Sequence, residues 1–298
     1  MYNGKKVTLI SFATLDLKRS INRFSSQAIN SEYYDQIKII TPNKFSDNIK
    51  KKINFFLNQK KTRGYCYWYW KPLLVLETLE AVNEDEIVHY LDIGFHIKKS
   101  IHNRFYEYLD LINEPDRFIL AFQYFPLNDK VYSKIEFPKR EEYKFSKSDL
   151  LAFYSKLNDK SITHTPQFSA GNIFFKKNEQ TKSFLLEWLD VFEKRFDLVD
   201  DTPSKIKNSN KFIENRHDQS VFSILCKIHH IKPLSAYEYD WCEKENKRTW
   251  EHNEGYPFLA KRDLKYNIFK RFIKRQVKTF KRFKNFLIKL KLERWPSG

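Results

Sequence analysis

The chain has 298 residues, 41% hydrophobic and 17% aromatic, with a formal net charge of +17, enough for one large α/β domain or two small ones without covalent staples. Its three cysteines, Cys66, Cys226 and Cys242, are an odd number at no metal-like spacing, which argues against a disulfide framework and for a reducing compartment. No stretch approaches the roughly eighteen uncharged apolar residues of a membrane span, and MYNGKKVTLISFATLD reads as a first strand rather than a signal peptide's apolar core.

Val7–Ala13 is that strand. A turn at Thr14–Leu17, a helix over Ser20–Ile29 and a strand over Gln36–Ile40 complete a βαβ-like unit. In open α/β sheets the end of such a strand receives ligands, so Thr14, Arg19 and Arg23 are candidate donor-binding residues. Neither G-x-G-x-x-G nor a Walker pattern occurs, which argues against a dinucleotide cofactor or a nucleoside triphosphatase.

A basic helix from Ser46 to about Lys60 leads into GYCYWYWKP. Tyr65, Tyr67, Trp68, Tyr69 and Trp70 are too dense for one core stripe; some belong to the core, and the rest suit a platform for a sugar or a base. A helix over Trp70–Ala81 spaces Leu73, Leu74, Leu76 and Leu79 for one buried face, with Pro72 at its start and Lys71 in its first turn. The buried strand Glu86–Leu91 then ends in Asp92-Ile93-Gly94. A polar residue just past the carboxyl end of such a strand lies in the ligand crevice, which makes Asp92 the first candidate carboxylate. Lys71 facing this turn suits a phosphate with a metal nearby. The structural alternative is a capping Asp with a Lys at the surface.

Next come His96, a helix over Asn103–Ile112, a strand over Arg117–Phe122, a long loop or edge hairpin over Pro126–Tyr143, and a short helix at Ser148. In Gln167-Phe168-Ser169-Ala170-Gly171-Asn172, opening an apolar strand, polar groups and bare backbone can approach a ligand together, through Gln167, Gly171 and Asn172. A helix over Asn178–Arg195 precedes a polar loop, Asp197–Arg216, of about twenty residues, a length that usually carries function or mobility. Arg216-His217-Asp218-Gln219-Ser220 opens a helix with Val221, Phe222, Ile224 and Leu225 inward; Asp218 is either a partner of the helix dipole or a site residue. Short strands are expected at Ile231–Pro233 and Ala236–Tyr239. His252 is a candidate metal ligand, because neutral imidazole joins carboxylates at Mn²⁺-type sites.

Between Lys261 and Arg294 fourteen Lys and Arg face only Asp263 and Glu293, so this tail holds +12 of the +17. Phe269, Phe272, Ile273, Val277, Phe280, Phe283, Leu287 and Leu290 fall on one stripe, the pattern of a basic amphipathic helix lying on an anionic membrane. The alternative is a helix docked on its own domain. A nucleic-acid-binding role is disfavoured, since the charge is confined to the tail and no known motif accompanies it.

VTLISFAT, GYCYWYWKP followed by YLDIG, QFSAGNIFF and RHDQS, in this order over residues 5 to 258, resemble bacterial GT-A glycosyltransferases of lipopolysaccharide, lipooligosaccharide or capsule biosynthesis. More distantly, they resemble the family of lipooligosaccharide galactosyltransferases and glycogenin, with its D-x-D, F-N-A-G, D-Q-D and H-x-x-G-x-x-K-P-W patterns. The abundance of Lys, Asn, Ile and Phe also fits an AT-rich bacterial genome.

The resemblance implies an α/β fold, a Rossmann-like GT-A mixed sheet flanked by helices over 1–258, with the basic amphipathic tail over 259–298. It implies a hexosyl- or N-acetylhexosaminyl-transferase using a nucleotide-diphosphate sugar, UDP-sugar favoured, and a glycan or glycolipid acceptor at the cytoplasmic face of the membrane. Asp92 matches the first Asp of D-x-D, which holds Mn²⁺ or Mg²⁺; Gly94 replaces the second, and His252 is a candidate to compensate, because His252-x-x-Gly255 resembles the H-x-x-G half of the last pattern. Gln167, Gly171 and Asn172 match positions beside donor and acceptor sugars. Asp218 and Gln219 match D-Q at the donor sugar, with Asp218 or His217 as base, and Lys71 neutralises the diphosphate or touches the sugar. The missing second Asp leaves a non-catalytic sugar-nucleotide or glycan-binding relative as the alternative.

Overall fold

The strands at the centre of the sheet are continuous apolar runs, as strands covered on both faces must be. All six residues of β1 (Val7–Phe12) are buried. Helix α1 (Lys18–Ser31), carrying Phe24 and Ala28 inward, returns the chain to the edge strand β2 (Gln36–Ile40). The structure, a computed structural model, describes residues 1–127, 132 and 134–262, so the expected tail helix lies outside the described residues. Residues 1–261 form one compact unit.

Helix α2 (Asp47–Asn58), capped by the Ser46 hydroxyl, buries Ile49 and Ile53. The following turn α3 (Gly64–Tyr67) is left-handed, with φ positive at every residue from Gly64 to Trp68. Only glycine enters this region freely. At Gly64 a Cβ would sit 2.5 Å from the Trp68 ring, so that glycine lets the indole fold back over the turn. Helix α4 (Trp70–Glu80) buries Leu73, Leu74, Val75 and Leu79 and leads to β3 (Ile87–Leu91), buried throughout.

Strand β4 (His96–Ile97), helix α5 (His102–Asn113) and strand β5 (Ile119–Gln123) follow, then three short helices, α6 (Glu142–Phe145), α7 (Ser148–Phe153) and α8 (Lys160–Thr163). Strand β6 (Phe168–Lys176) precedes α9 (Glu179–Lys194), whose cap is Asn178, its side chain accepting from the Thr181 N–H at 2.8 Å. Helix α10 (Asp218–Ile228), strand β7 (Leu234–Ser235), the hairpin β8 (Cys242–Lys244) and β9 (Lys247–Thr249), and β10 (Phe258–Leu259) complete the unit.

The main sheet runs β2-β1-β3-β6-β5-β7. β1 is parallel to β2 and β3, β6 is antiparallel to β3 and β5, and β7 is parallel to β5. This is a mixed sheet flanked by helices: α2, α4, α9 and α10 pack into one core layer, α1 and α5 into the other. Leu120 lies opposite Phe174, yet Phe122 lies opposite Ser169, so β6 carries extra, bulged residues between these rungs. Such a bulge unpairs backbone groups and re-aims the strand.

Two expected strands differ from the structure. Pairing at Ile231–Pro233 begins only at Leu234, after the proline that lacks an N–H to donate. Ala236–Glu238 is a 3₁₀ turn, its Tyr237 N–H donating to Ser235 Oγ at 3.2 Å. Of the Pro126–Tyr143 hairpin, the described residues show two isolated bridges, Glu136 to Glu243 and Glu141 to Pro166, neither within the segment itself.

Candidate active site

The β6 bulge lies beside the carboxyl end of β3, and the two ends build the site together. Asp92 donates its N–H to the Gly171 carbonyl at 2.9 Å, and its own carbonyl accepts the Phe95 N–H at 2.9 Å, closing a turn that aims the side chain outward. Lys71, in the first turn of α4 and only 2% exposed, reaches across. Its ammonium donates to the Ala170 carbonyl at 2.8 Å and to Asp218 Oδ2 at 2.5 Å, and lies 3.9 Å from Asp92 Oδ1. Tyr90, two residues before Asp92 on the same face of β3, donates its hydroxyl to Asp92 Oδ1.

Asp92, Lys71 and Asp218, distant in sequence, thus form one row of alternating charge. Burial, reinforced by the charge of Asp92, outweighs the Lys71 ammonium and pushes the Asp218 carboxyl up to about 6. With both carboxylates ionised the row carries a net charge of −1, and its exposed end is Asp92, whose side chain is 30% accessible. Gly171 keeps that end open: a Cβ there would stand 3.0 Å from Asp92 Oδ2 and 3.2 Å from the Phe95 ring.

His217 precedes Asp218 with φ +56°, a strained conformation for a residue with a side chain. Its Nδ1 is 2.6 Å from the Val199 carbonyl, which can only accept, so Nδ1 carries the proton. Nε2 is buried, with no hydrogen-bond partner among the described residues, 3.9 Å from Asp201 Oδ1. The ring stacks on Trp68 with centroids 5.6 Å apart, and burial lowers its pKa, keeping a lone pair on Nε2 at neutral pH. Of the five aromatic residues at 65–70, Tyr67, Tyr69 and Trp70 are core; Trp68 and the edge of Tyr67, with centroids 5.6 and 5.1 Å away, pack against His217.

Other candidates are spent elsewhere. Gln167 is fully buried: its amide donates to Glu142 Oε1 at 2.8 Å and its Oε1 accepts from Gln219 at 3.0 Å. The same Glu142 accepts from Ser223 at 2.5 Å and Lys227 at 2.6 Å, so this network ties α10 to β6 rather than facing a ligand. Asn172 turns into the opposite core layer, 2.7 Å from His89 Nε2. Arg23 donates to the carbonyls of Ile93 and Phe95, bracing the turn that carries Asp92. Thr14 donates to Asp16, and Arg19 is exposed on α1.

A two-carboxylate, one-histidine metal site does not fit these residues. Gly94 supplies no ligand, and Asp92 Oδ1 is engaged by Tyr90 and faces an ammonium. His252, expected to compensate, has one nitrogen 2.8 Å from Cys242 Sγ and the other 3.0 Å from the Asp240 carbonyl. Among the described residues no three His, Cys, Asp or Glu side chains cluster to hold a metal. Sequence reasoning missed Tyr90; its alternation with Asp92 on a strand was the available signal.

No family model and no curated protein matches this sequence. Among solved structures the chain is similar to apo mouse xyloside xylosyltransferase 1, at 11% identity and TM-score 0.42, covering 78% of this chain and 86% of that one. It is also similar to the glycosyltransferase GlyE of Streptococcus pneumoniae TIGR4, in its apo form at 12% identity and TM-score 0.36. A second GlyE structure gives 13% and 0.35; in both the alignment covers 79% of this chain and 46% of GlyE, so the chain spans about half of that protein. At such identities and scores the functional reading rests on the site.

Proposed function

We propose that the chain is a glycosyltransferase that moves a sugar from a nucleotide-diphosphate sugar, UDP-sugar favoured, to a lipid-linked, lipopolysaccharide or capsule glycan at the cytoplasmic face of a membrane. The observation that carries this reading is the row Asp92–Lys71–Asp218 past the carboxyl end of β3, beside the bulge of β6. Transfer forms a bond from an acceptor hydroxyl oxygen to the anomeric carbon while the carbon–oxygen bond to the diphosphate breaks. Positive charge grows on the sugar ring as it does so, and a site of net −1 stabilises it.

Lys71 therefore holds two carboxylates against the sugar instead of neutralising the diphosphate, because its own charge is already compensated. Asp92 accepts hydrogen bonds from sugar hydroxyls. Asp218 is tied to Lys71, and His217, whose Nε2 lies 3.9 Å from Asp201 Oδ1, is the alternative base for the acceptor proton. The diphosphate falls to Arg19, exposed on α1 past the end of β1.

The test is a thermal-shift screen of nucleotide-diphosphate sugars followed by turnover of those that bind. Alanine at Asp92, a partly exposed residue, lowers turnover by roughly two to three orders of magnitude with the melting temperature nearly unchanged. Donor binding without turnover for any acceptor overturns the enzyme and favours the binding relative that Gly94 suggests. Among the described residues no helix is long and apolar enough to cross a membrane. Membrane attachment is proposed from the tail's sequence: truncation at Lys261 releases the protein from membranes, and an unchanged partition refutes that role.

A further inference from the structure

The segment between Val199 and Arg216 has no regular secondary structure, yet it is pinned throughout. Asp149, in the first turn of α7, accepts the N–H groups of Lys205 and Ile206, each at 2.7 Å. Ser148 donates its N–H to Asn208 Oδ1 at 2.8 Å and its hydroxyl to the Lys207 carbonyl at 3.1 Å. Farther on, Ile213 donates to the Lys144 carbonyl at 2.8 Å and Arg216 to that of Phe145 at 3.0 Å. The loop is a wall built against α6 and α7.

Between this wall and α6–α8 lies a cavity of about 720 Å³, in the range of small-ligand sites. Tyr143 and His164, with ring centroids 5.0 Å apart, stand on one side. Asn158, Asn208 and Asn210 supply amides, Lys207 and Lys211 supply charge, and among the described residues no Asp or Glu lines it. Amides match hydroxyl groups, aromatic faces match the C–H faces of sugar rings, and a carboxylate-free lining with two ammonium groups selects negative charge. A nucleotide fits less well, since α7, the helix beside the cavity, is too short to present a phosphate site and no glycine-rich turn faces it.

We propose that this cavity binds an acidic oligosaccharide, a glycan chain bearing carboxylates or phosphates. Its role as the acceptor's extended part rests on the glycosyltransferase reading, because the same wall ends in His217 and Asp218. The binding itself does not depend on that reading.

The test titrates full-length protein with a hyaluronan octasaccharide and, as a neutral control, maltooctaose, by calorimetry. The acidic chain should bind at least about tenfold more tightly than the neutral one. Lys207→Glu/Lys211→Glu should weaken it at least about tenfold, and Tyr143→Ala should weaken it independently of salt. The basic tail is unchanged in these variants, so binding that survives both belongs to the tail and overturns the proposal. So does equal binding of maltooctaose, or saturable UMP binding that the double Lys variant abolishes. Sugar-nucleotide turnover on the same preparations is expected unaltered by the Lys variant with a small acceptor. If no sugar nucleotide is ever turned over while the cavity still selects the acidic chain, the transferase reading fails and the cavity stands.

Discussion

Replacing Lys71 by Met removes the ammonium from between two carboxylates while keeping most of the side chain's apolar length. Asp218, only 4% exposed, then loses an ion pair at 2.5 Å. Breaking a buried pair by removing one partner costs about 3–5 kcal/mol, because the remaining charge is left without compensation. In a unit of this size each kcal/mol is worth roughly 2–4 °C of melting temperature, so the variant should melt about 6–20 °C lower at pH 8. Near pH 5.5 the loss should be smaller, since Asp218 can escape by taking up a proton. Lys71→Met/Asp218→Leu removes both charges and should recover most of the loss, as apolar replacement of a buried pair is often close to neutral. The assay is thermal denaturation followed by circular dichroism on the parent, both singles and the double. A Lys71→Met protein melting within about 2 °C of the parent at pH 8, or a double variant no better than that single, refutes the claim that the row is electrostatically coupled.

Because burial raises the Asp218 carboxyl to about 6, its contribution to stability is fully present below the ordinary value of 3.8 and is lost as pH rises through about 6. The loss amounts to about 3 kcal/mol at 1.4 kcal/mol per pH unit, with Lys71 and Asp92 as the facing charges. Urea unfolding between pH 4 and 7 should show this slope up to about pH 6 in the parent and not in Asp218→Asn; equal slopes refute it. Alanine at Asp218 should lower the melting temperature, because it strands the buried Lys71 ammonium. Gly171→Ala should push Asp92 off its aim, lowering kcat/KM about ten- to hundredfold while the melting temperature moves little; unchanged kcat/KM refutes the close-approach argument. EDTA should leave the melting temperature of the donor-free protein unchanged, and a rise on adding Mn²⁺ alone would show a metal site that these side chains do not form.

The readings from sequence succeeded where a rule is local. A buried strand ending in Asp-Ile-Gly and a helix opening with Trp-Lys-Pro each announce where their polar residue stands, and Asp92 and Lys71 stand there. Gln167 and Asn172 looked equally eligible at a strand start. Their amides turn inward because Glu142 and His89, from other elements, offer partners that no adjacent residue reveals. His252 resembled a ligand until its loop placed Cys242 and the Asp240 carbonyl against both ring nitrogens. The aromatic run misled in part, since the left-handed turn at Gly64–Trp68 buries most of its rings.

Apolar runs, helical spacing, proline and serine at helix starts, and the confinement of charge to the last residues were determined by the chain alone, because each depends on neighbours a few positions away. The β6 bulge, the wall along α7 and the meeting of Lys71 with Asp218 across 147 residues of chain were decided only by tertiary structure. A buried polar group must find its partner wherever folding brings one, and that partner lies outside any local pattern.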